Sequence, residues 1–387
     1  MKNKSFFCPA AVLVLILLIA CETVGKKPDW IKGRSQKYPA SSYLIGIGQA
    51  KSSGNPADDQ ASADQNARAE IARQIQTRIQ SQLVAEAEEE LQRLGPDEQE
   101  RFSQRIKTEV SASEKMEIEG IKIAERFYDE KAGIYYTLAV LDRRETGDLL
   151  LTRIRDLNQE AGVYLGLKVK SLLEKEPLMA LNYLARAEAV LRPEIKLRSQ
   201  YLVISGAALE KKYHLADLIR EEDEVKSATK ILVIVFEKAP GQKPSNVIES
   251  YLISSLSSLG FHLISAPAEL RRKGFENIRE MINTGKFQLS SNPHYLILGN
   301  FEVKKNSQTR IGGNLNYFYK TGGELCLFDL GKGKILLSLI DSSPEATKAG
   351  KTKPDQAISL SLEQAGKYFS ELWLEILKQK FFNPATN

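Results

Sequence analysis

The stretch YLIGIGQA (residues 43–50) reads in two incompatible ways, and the choice between them decides the first fold. Taken as Gly-x-Gly after a strand, it would open a phosphate cradle. The third glycine of a dinucleotide fingerprint is absent at the required spacing, however, and no acidic residue follows a second strand. Taken as small residues on a strand that packs against a helix, it calls for an apolar helical stripe nearby. ARAEIARQIQTRIQS (67–81) supplies one. Ala67, Ile71, Ile75, Ile79 and Leu83 recur every four residues with Ala63 and Ala72 beside them, which predicts a helix of about thirty residues. Asp58, Asp59 and Asp64 fall near its start, where carboxylates suit the positive end of the helix dipole.

Further along, LGPDEQ (94–99) marks a break and a restart, because Gly95 can close a helix and Pro96 can open one. EIEGIKIAERFYD and GIYYTLAVLDR flank a DEKAG turn and read as a hairpin. Strand, long helix and hairpin make a compact α+β module over residues 43–144. Residues 145–224 are helical in pattern, with LMALNYLARAEAVLRP (178–193) presenting one apolar face that ends at Pro193. It resembles half of a tetratricopeptide hairpin, but a second copy is absent and such arrays need about three repeats. A helical spacer is the preferred reading.

The charge cluster REEDEVKSATK (220–230) marks a boundary, and residues 228–382 read as a separate α/β domain. KILVIVF (230–236) is a continuous apolar run of the kind buried on both sheet faces. SNVIESYLISSLSSLG reads as a helix closed by Gly260, FHLIS as a strand, and the next segment as a charged helix to about Asn283. HYLILGNFEV, LNYFYKT, GELCLFDL and KILLSLID read as four successive strands before a closing helix. The overall class is α+β: a strand/long-helix/hairpin module, a helical middle, and a carboxyl-terminal mixed sheet with flanking helices.

The amino terminus says where the chain resides. Lys2 and Lys4 precede an unbroken run of Ala, Val, Leu and Ile from Ala10 to Ala20. That run is shorter than the roughly 20 residues of a membrane-spanning helix but suits a signal-peptide apolar region. Leu18-Ile19-Ala20-Cys21 resembles the lipobox of bacterial lipoproteins. The resemblance implies cleavage after Ala20, removal of residues 1–20, and acylation of Cys21. Two acyl chains anchor stably where one does not. Glu22, in place of an inner-membrane Asp signal, points to the outer membrane. Residues 21–42 then read as a lipidated tether, with Trp30 either docked on the first domain or placed at the lipid interface.

Losing Lys2 and Lys4 lowers the formal net charge from +5 to +3, with no basic block suited to nucleic acid. Cys8 leaves with the signal and Cys21 is acylated, so Cys326 is alone and no internal disulfide forms.

PDWI (28–31), YLIGIGQA, the Ala-rich helix, ERFYD and YYTLAVLDR together resemble the LPP-twenty lipoprotein family in content and order. That resemblance covers about a third of the chain and implies an envelope lipoprotein with no catalytic residues to carry over. The element order after residue 228, with SLEQAGKYFSELWLEIL after a strand meander, resembles the periplasmic domain of CsgG-like and LpoB-like envelope lipoproteins. It implies a binding or assembly module.

Searches for chemistry return little. His214, His262 and His294 lie far apart with no ligand-spaced partners, and no G-x-S-x-G elbow occurs. AGKTK (349–353) mimics the end of a phosphate loop, but Glu345 stands where its first glycine belongs. EAEEE (86–90) reads as a solvated helix face rather than a calcium loop. Cys326 reads as inert packing, and Tyr317, Phe318 and Tyr319 as strand formers or a partner surface. No catalytic residue, cofactor or metal is therefore expected. The expected function is a non-catalytic binding or assembly factor, anchored through Cys21 and facing the periplasm, with the cell surface as alternative. Its partner would be an envelope protein or a peptidoglycan-associated component. The competing expectation is a lipid-anchored hydrolase whose site no linear motif exposes.

Overall fold

The computed structural model describes residues 27–96, 98–100, 102–103, 118–243, 245–343 and 351–382. They cluster into two units. One draws on Met1–Gln82, Ala112–Thr152 and Arg198–Ala208, the other on Leu83–Ser111, Arg153–Leu197 and Leu209–Asn387.

In the first unit, β1 (Tyr43–Lys51), β2 (Lys122–Asp129) and β3 (Ile134–Asp142) form an antiparallel sheet in the order β1-β3-β2. Helix α1 (Pro56–Leu91) buries Ala63, Ala67, Ile71, Ile75 and Ile79, as the four-residue spacing requires. The glycines of β1 explain the closeness of its packing. A Cβ on Gly48 would fall on the Ala63 carbonyl oxygen and the Ala67 backbone, and one on Gly46 would lie 2.7 Å from Ile71 Cγ1. Gly-x-Gly is thus a seat for a helix and not a phosphate cradle. On the opposite face Trp30 is buried against Leu138 and Val140, with Tyr38, Phe127 and Tyr136 packed alongside. The tryptophan docks, and Lys27 pairs with Asp129 just before it.

Helices α2 (Arg143–Leu173) and α3 (Pro177–Ser205) each contribute residues to both units, followed by α4 (Leu215–Ala228). Asp142 begins α2 as a cap, its Oδ1 accepting from Arg144 N at 2.9 Å and Glu145 N at 3.0 Å. Helix α3 does not stop at Pro193, contrary to the reading of the sequence. Pro193 is exposed and simply lacks the N–H that the helix ladder would use there.

The second unit holds β4 (Lys230–Lys238), β5 (His262–Ile264), β6 (Tyr295–Ile311), β7 (Asn314–Asp329) and β8 (Lys334–Ser342) in the order β5-β4-β6-β7-β8. Pairing is parallel for β5-β4-β6 and antiparallel for β6-β7-β8, giving the expected mixed sheet. Alternation along β4 sends Ile231, Val233 and Val235 to one face and Leu232 and Ile234 to the other. The first face packs on α5 (Val247–Ser258) and α8 (Pro354–Leu377), through Ile248, Leu252, Leu362, Phe369 and Trp373. The second packs on α6 (Ala268–Lys273) and α7 (Phe275–Asn283), through Leu270, Phe275, Ile278 and Ile282.

Two further expectations give way here. The charged helix after β5 is two helices, because Gly274 takes a φ of 79° between them. LNYFYKT and GELCLFDL are not separate strands but one, β7. Gly322 and Gly323 sit inside it: a Cβ on Gly323 would fall on Asn300 O, so these glycines admit a close backbone neighbour and make no turn. The turn is Gly312-Gly313, with φ of 59° and 84°.

Candidate functional site

Leu18, Ile19, Ala20 and Cys21, the sites of processing and lipid attachment expected from the sequence, lie outside the described residues. So does the Glu345 end of the AGKTK loop. Among the described residues no helix is long and apolar enough to cross a membrane, and no group of three or more His, Cys, Asp or Glu is placed to hold a metal ion.

The polar side chains that attract attention in the structure are engaged in holding the fold. Glu90 is buried, not solvated like Glu88 and Glu89 beside it. Its Oε1 accepts from Lys211 Nζ at 3.0 Å and lies 2.9 Å from His214 Nδ1, while Oε2 accepts from Ala216 N at 3.1 Å. Burial pushes the Glu90 carboxyl up, but the bonds from His214, Ala216 and Lys211 outweigh it and leave the pKa below its ordinary value. His214 is thereby accounted for. Cys326 is buried, Sγ 3.6 Å from Ser338 Oγ, and burial raises its thiol pKa. Tyr319 belongs to the core, with Tyr317 partly buried against it, so the aromatic run is largely strand packing.

Ligands of open sheets containing parallel strands collect at the carboxyl ends of those strands. Two carboxylates occupy that region beside β4. Glu237 accepts from Ser245 Oγ and from the backbone N–H groups of Val247, Ile248 and Glu249, filling the anion cradle at the start of α5. Glu249 accepts from Val235 N at 2.9 Å and takes a two-pronged pair from Arg271 at 2.5 and 2.8 Å. No helix-start position for a phosphate remains at α5. A crevice of about 540 Å³ opens next to it, lined by Lys238, Glu302, Lys320, Gly322 and Ile340. Its charges balance, with Lys238, Lys304 and Lys320 set against Glu302, Glu324 and Asp341.

In the first unit Asp64, expected to serve the start of α1, lies beyond its first turn and serves a polar network instead, while Arg143 is a group that sequence reading missed. Asp64 accepts from Arg126 at 2.6 and 3.1 Å, from Thr137 at 2.9 Å and from Gln60 at 3.0 Å. Burial raises its pKa, and these bonds bring it below the ordinary value. Arg143 donates to Ala40 O at 3.0 Å and Ile204 O at 2.7 Å, with its pKa lowered by burial and by Arg78. Each depends on residues distant in sequence, which local pattern does not reveal.

Against this geometry the likenesses to known proteins are informative. The model of the LPP20 lipoprotein family matches residues 28–142, the module whose motifs suggested that family. Residues 230–372 match the C-terminal domain of TP0693-like lipoproteins. That match does not support the CsgG-like and LpoB-like resemblance expected from element order. No curated protein matches the chain. Among solved structures, the secreted protein HP1454 from Helicobacter pylori is similar at 11% identity, covering 86% of this chain and 97% of its own, with a TM-score of 0.33. A putative neuraminyllactose-binding hemagglutinin homolog from Helicobacter pylori is similar at 15% identity, over 40% of this chain and 86% of its own, TM-score 0.22. Lipoprotein GNA1162 from Neisseria meningitidis is similar at 17% identity, over 35% of this chain and 96% of its own, TM-score 0.21. Both matched families are lipoprotein families, and the class they describe is a membrane-anchored envelope protein.

Proposed function

We propose that this protein is an outer-membrane lipoprotein, held by acyl chains on Cys21, whose body is a non-catalytic binding or assembly factor for another envelope component. The observation that carries the reading is the pair of lipoprotein-family matches, one at each end of the chain. A lipobox-like run ending at Cys21 lies shortly before the first of them, which begins at residue 28. The non-catalytic part is supported by the way Glu90, His214, Glu237, Glu249 and Cys326 are consumed in packing and capping.

The Cys21→Ala variant tests the anchor. It is expected to accumulate as an unprocessed chain, retaining residues 1–20, lacking diacylglyceryl mass and absent from the outer-membrane fraction. Normal mature protein in that fraction would overturn the anchoring. Crosslinking in intact cells followed by affinity recovery tests the role. A specific envelope protein or peptidoglycan fragment is expected, and turnover of an envelope ester or glycoside by the purified chain would replace binding with hydrolysis.

A further inference from the structure

We propose that a cavity at the amino-terminal edge of β6 is a binding site for a carboxylate carried on an apolar body. This goes beyond the role proposed above and does not depend on it. The cavity has a volume of about 600 Å³, and Phe287, Leu289, Pro293 and Leu330 give it apolar walls.

Backbone conformation first draws attention to it. Among the described residues only Lys175 and Asn292 combine a side chain with positive φ, at 62° and 45°, and both line this one cavity. Asparagine tolerates that region, but lysine does so at a cost of roughly 1 kcal/mol. Lys175 closes α2 in a Schellman turn: Glu176 N donates to Ser171 O at 2.8 Å and Lys175 N to Leu172 O at 3.1 Å. Glycine is the usual residue at that position. Here that position is a lysine, and the lysine lines the cavity.

His294 supplies the second feature. Its N–H donates to Lys230 O at 2.9 Å, its carbonyl accepts from Leu330 N at 3.0 Å, and Nδ1 accepts from Lys230 N at 3.0 Å. A backbone N–H can only donate, so Nδ1 carries the lone pair and Nε2 carries the proton. The half-buried ring therefore lines the cavity as a neutral N–H donor. Burial lowers its pKa, the charges of Lys230 and Lys175 lower it further, and Asp329 opposes them. One lysine, a neutral N–H, and the amides of Gln288 and Asn292 around an apolar wall suit a single negative charge on a greasy group. A carboxylate bound there would draw on the Lys175 charge and accept from His294 Nε2–H. A doubly charged phosphate would find only Lys175 as a cation in the lining.

Such a carboxylate belongs either to a free amphipathic acid or to the carboxyl terminus of a polypeptide. The test uses the full chain in lipid nanodiscs, titrated with hexanoate, with a short peptide ending in a free leucine carboxylate, and with the same peptide amidated. The three histidines make the imidazole NMR signals assignable. A saturable shift of the His294 signal, with His214 and His262 unmoved, is expected with hexanoate, the acid peptide or both, and none with the amide. The tighter of the two names the source. Lys175→Gly should weaken binding tenfold or more with a melting temperature equal to or above that of the parent, since glycine relieves the turn. Lys175→Gln, which keeps the length and drops the charge, should weaken it similarly. Failure of both acids to move His294, equal binding of the amide, or undiminished binding by both variants would overturn the proposal.

Discussion

At Gly48 a single methyl group has nowhere to go, because main-chain atoms of Ala63 and Ala67 already occupy its place. Backbone cannot rotate aside as a side chain can, so Gly48→Ala is expected to destabilise the first unit by about 3 kcal/mol. A lowered melting transition in differential scanning calorimetry would register this, whereas an unchanged one would mean that the strand and helix stand farther apart. Glu90 makes a second prediction. Its folded pKa lies below the unfolded value, so its contribution is full above the unfolded value of about 4.3 and disappears as pH falls through the folded one. Glu90→Gln should cost about 3 kcal/mol at neutral pH, by removing the buried anion from His214 and Lys211 and leaving Lys211 only Glu89 at 3.7 Å. It should also flatten the loss of stability on acidification. A parallel displacement of the two curves at every pH would show that Glu90 is not a source of the acid sensitivity. The role of the glycines was legible from sequence, since a helix stripe with alanines answered a strand with glycines. Glu90 was not, because its partners lie more than a hundred residues away and four neighbouring acidic or small residues disguise it as a solvated run.

Among the elements, α1, the β2–β3 hairpin and the apolar strand β4 follow from periodicity and turn chemistry alone. Two departures share a cause: glycine and proline read as punctuation where tertiary surroundings use them otherwise. Pro193 lies within α3 as an exposed residue, and Gly322-Gly323 runs through β7 beneath Asn300 and Phe301. Gly274 shows the reverse, a real break inside a charged run that read as one helix. Because Pro193 is exposed and makes no N–H bond, Pro193→Ala should stabilise the protein by about 1 to 3 kcal/mol, restoring a donor to the ladder. Urea titration followed by helical circular dichroism measures it. A midpoint lower than that of the parent would mean that the ring itself is packed in place.

For the molecule as a whole, class and broad order were readable, because two different sheets demand two different patterns: one alternating, one continuously apolar. The carboxylate cavity was invisible at that level. Lys175, Asn292 and His294 carry no shared motif and are brought together only when α2 ends beside the start of β6. The packing of Trp30 on Leu138 and Val140, with Lys27 paired to Asp129, also changes how the proposed anchor would work. Only six peptide steps separate Cys21 from Lys27, which fully stretched reach about 20 Å. On so short a leash the first sheet would skim the bilayer like a boat on a tight painter, and whatever this protein meets through that module must itself come down to the lipid surface.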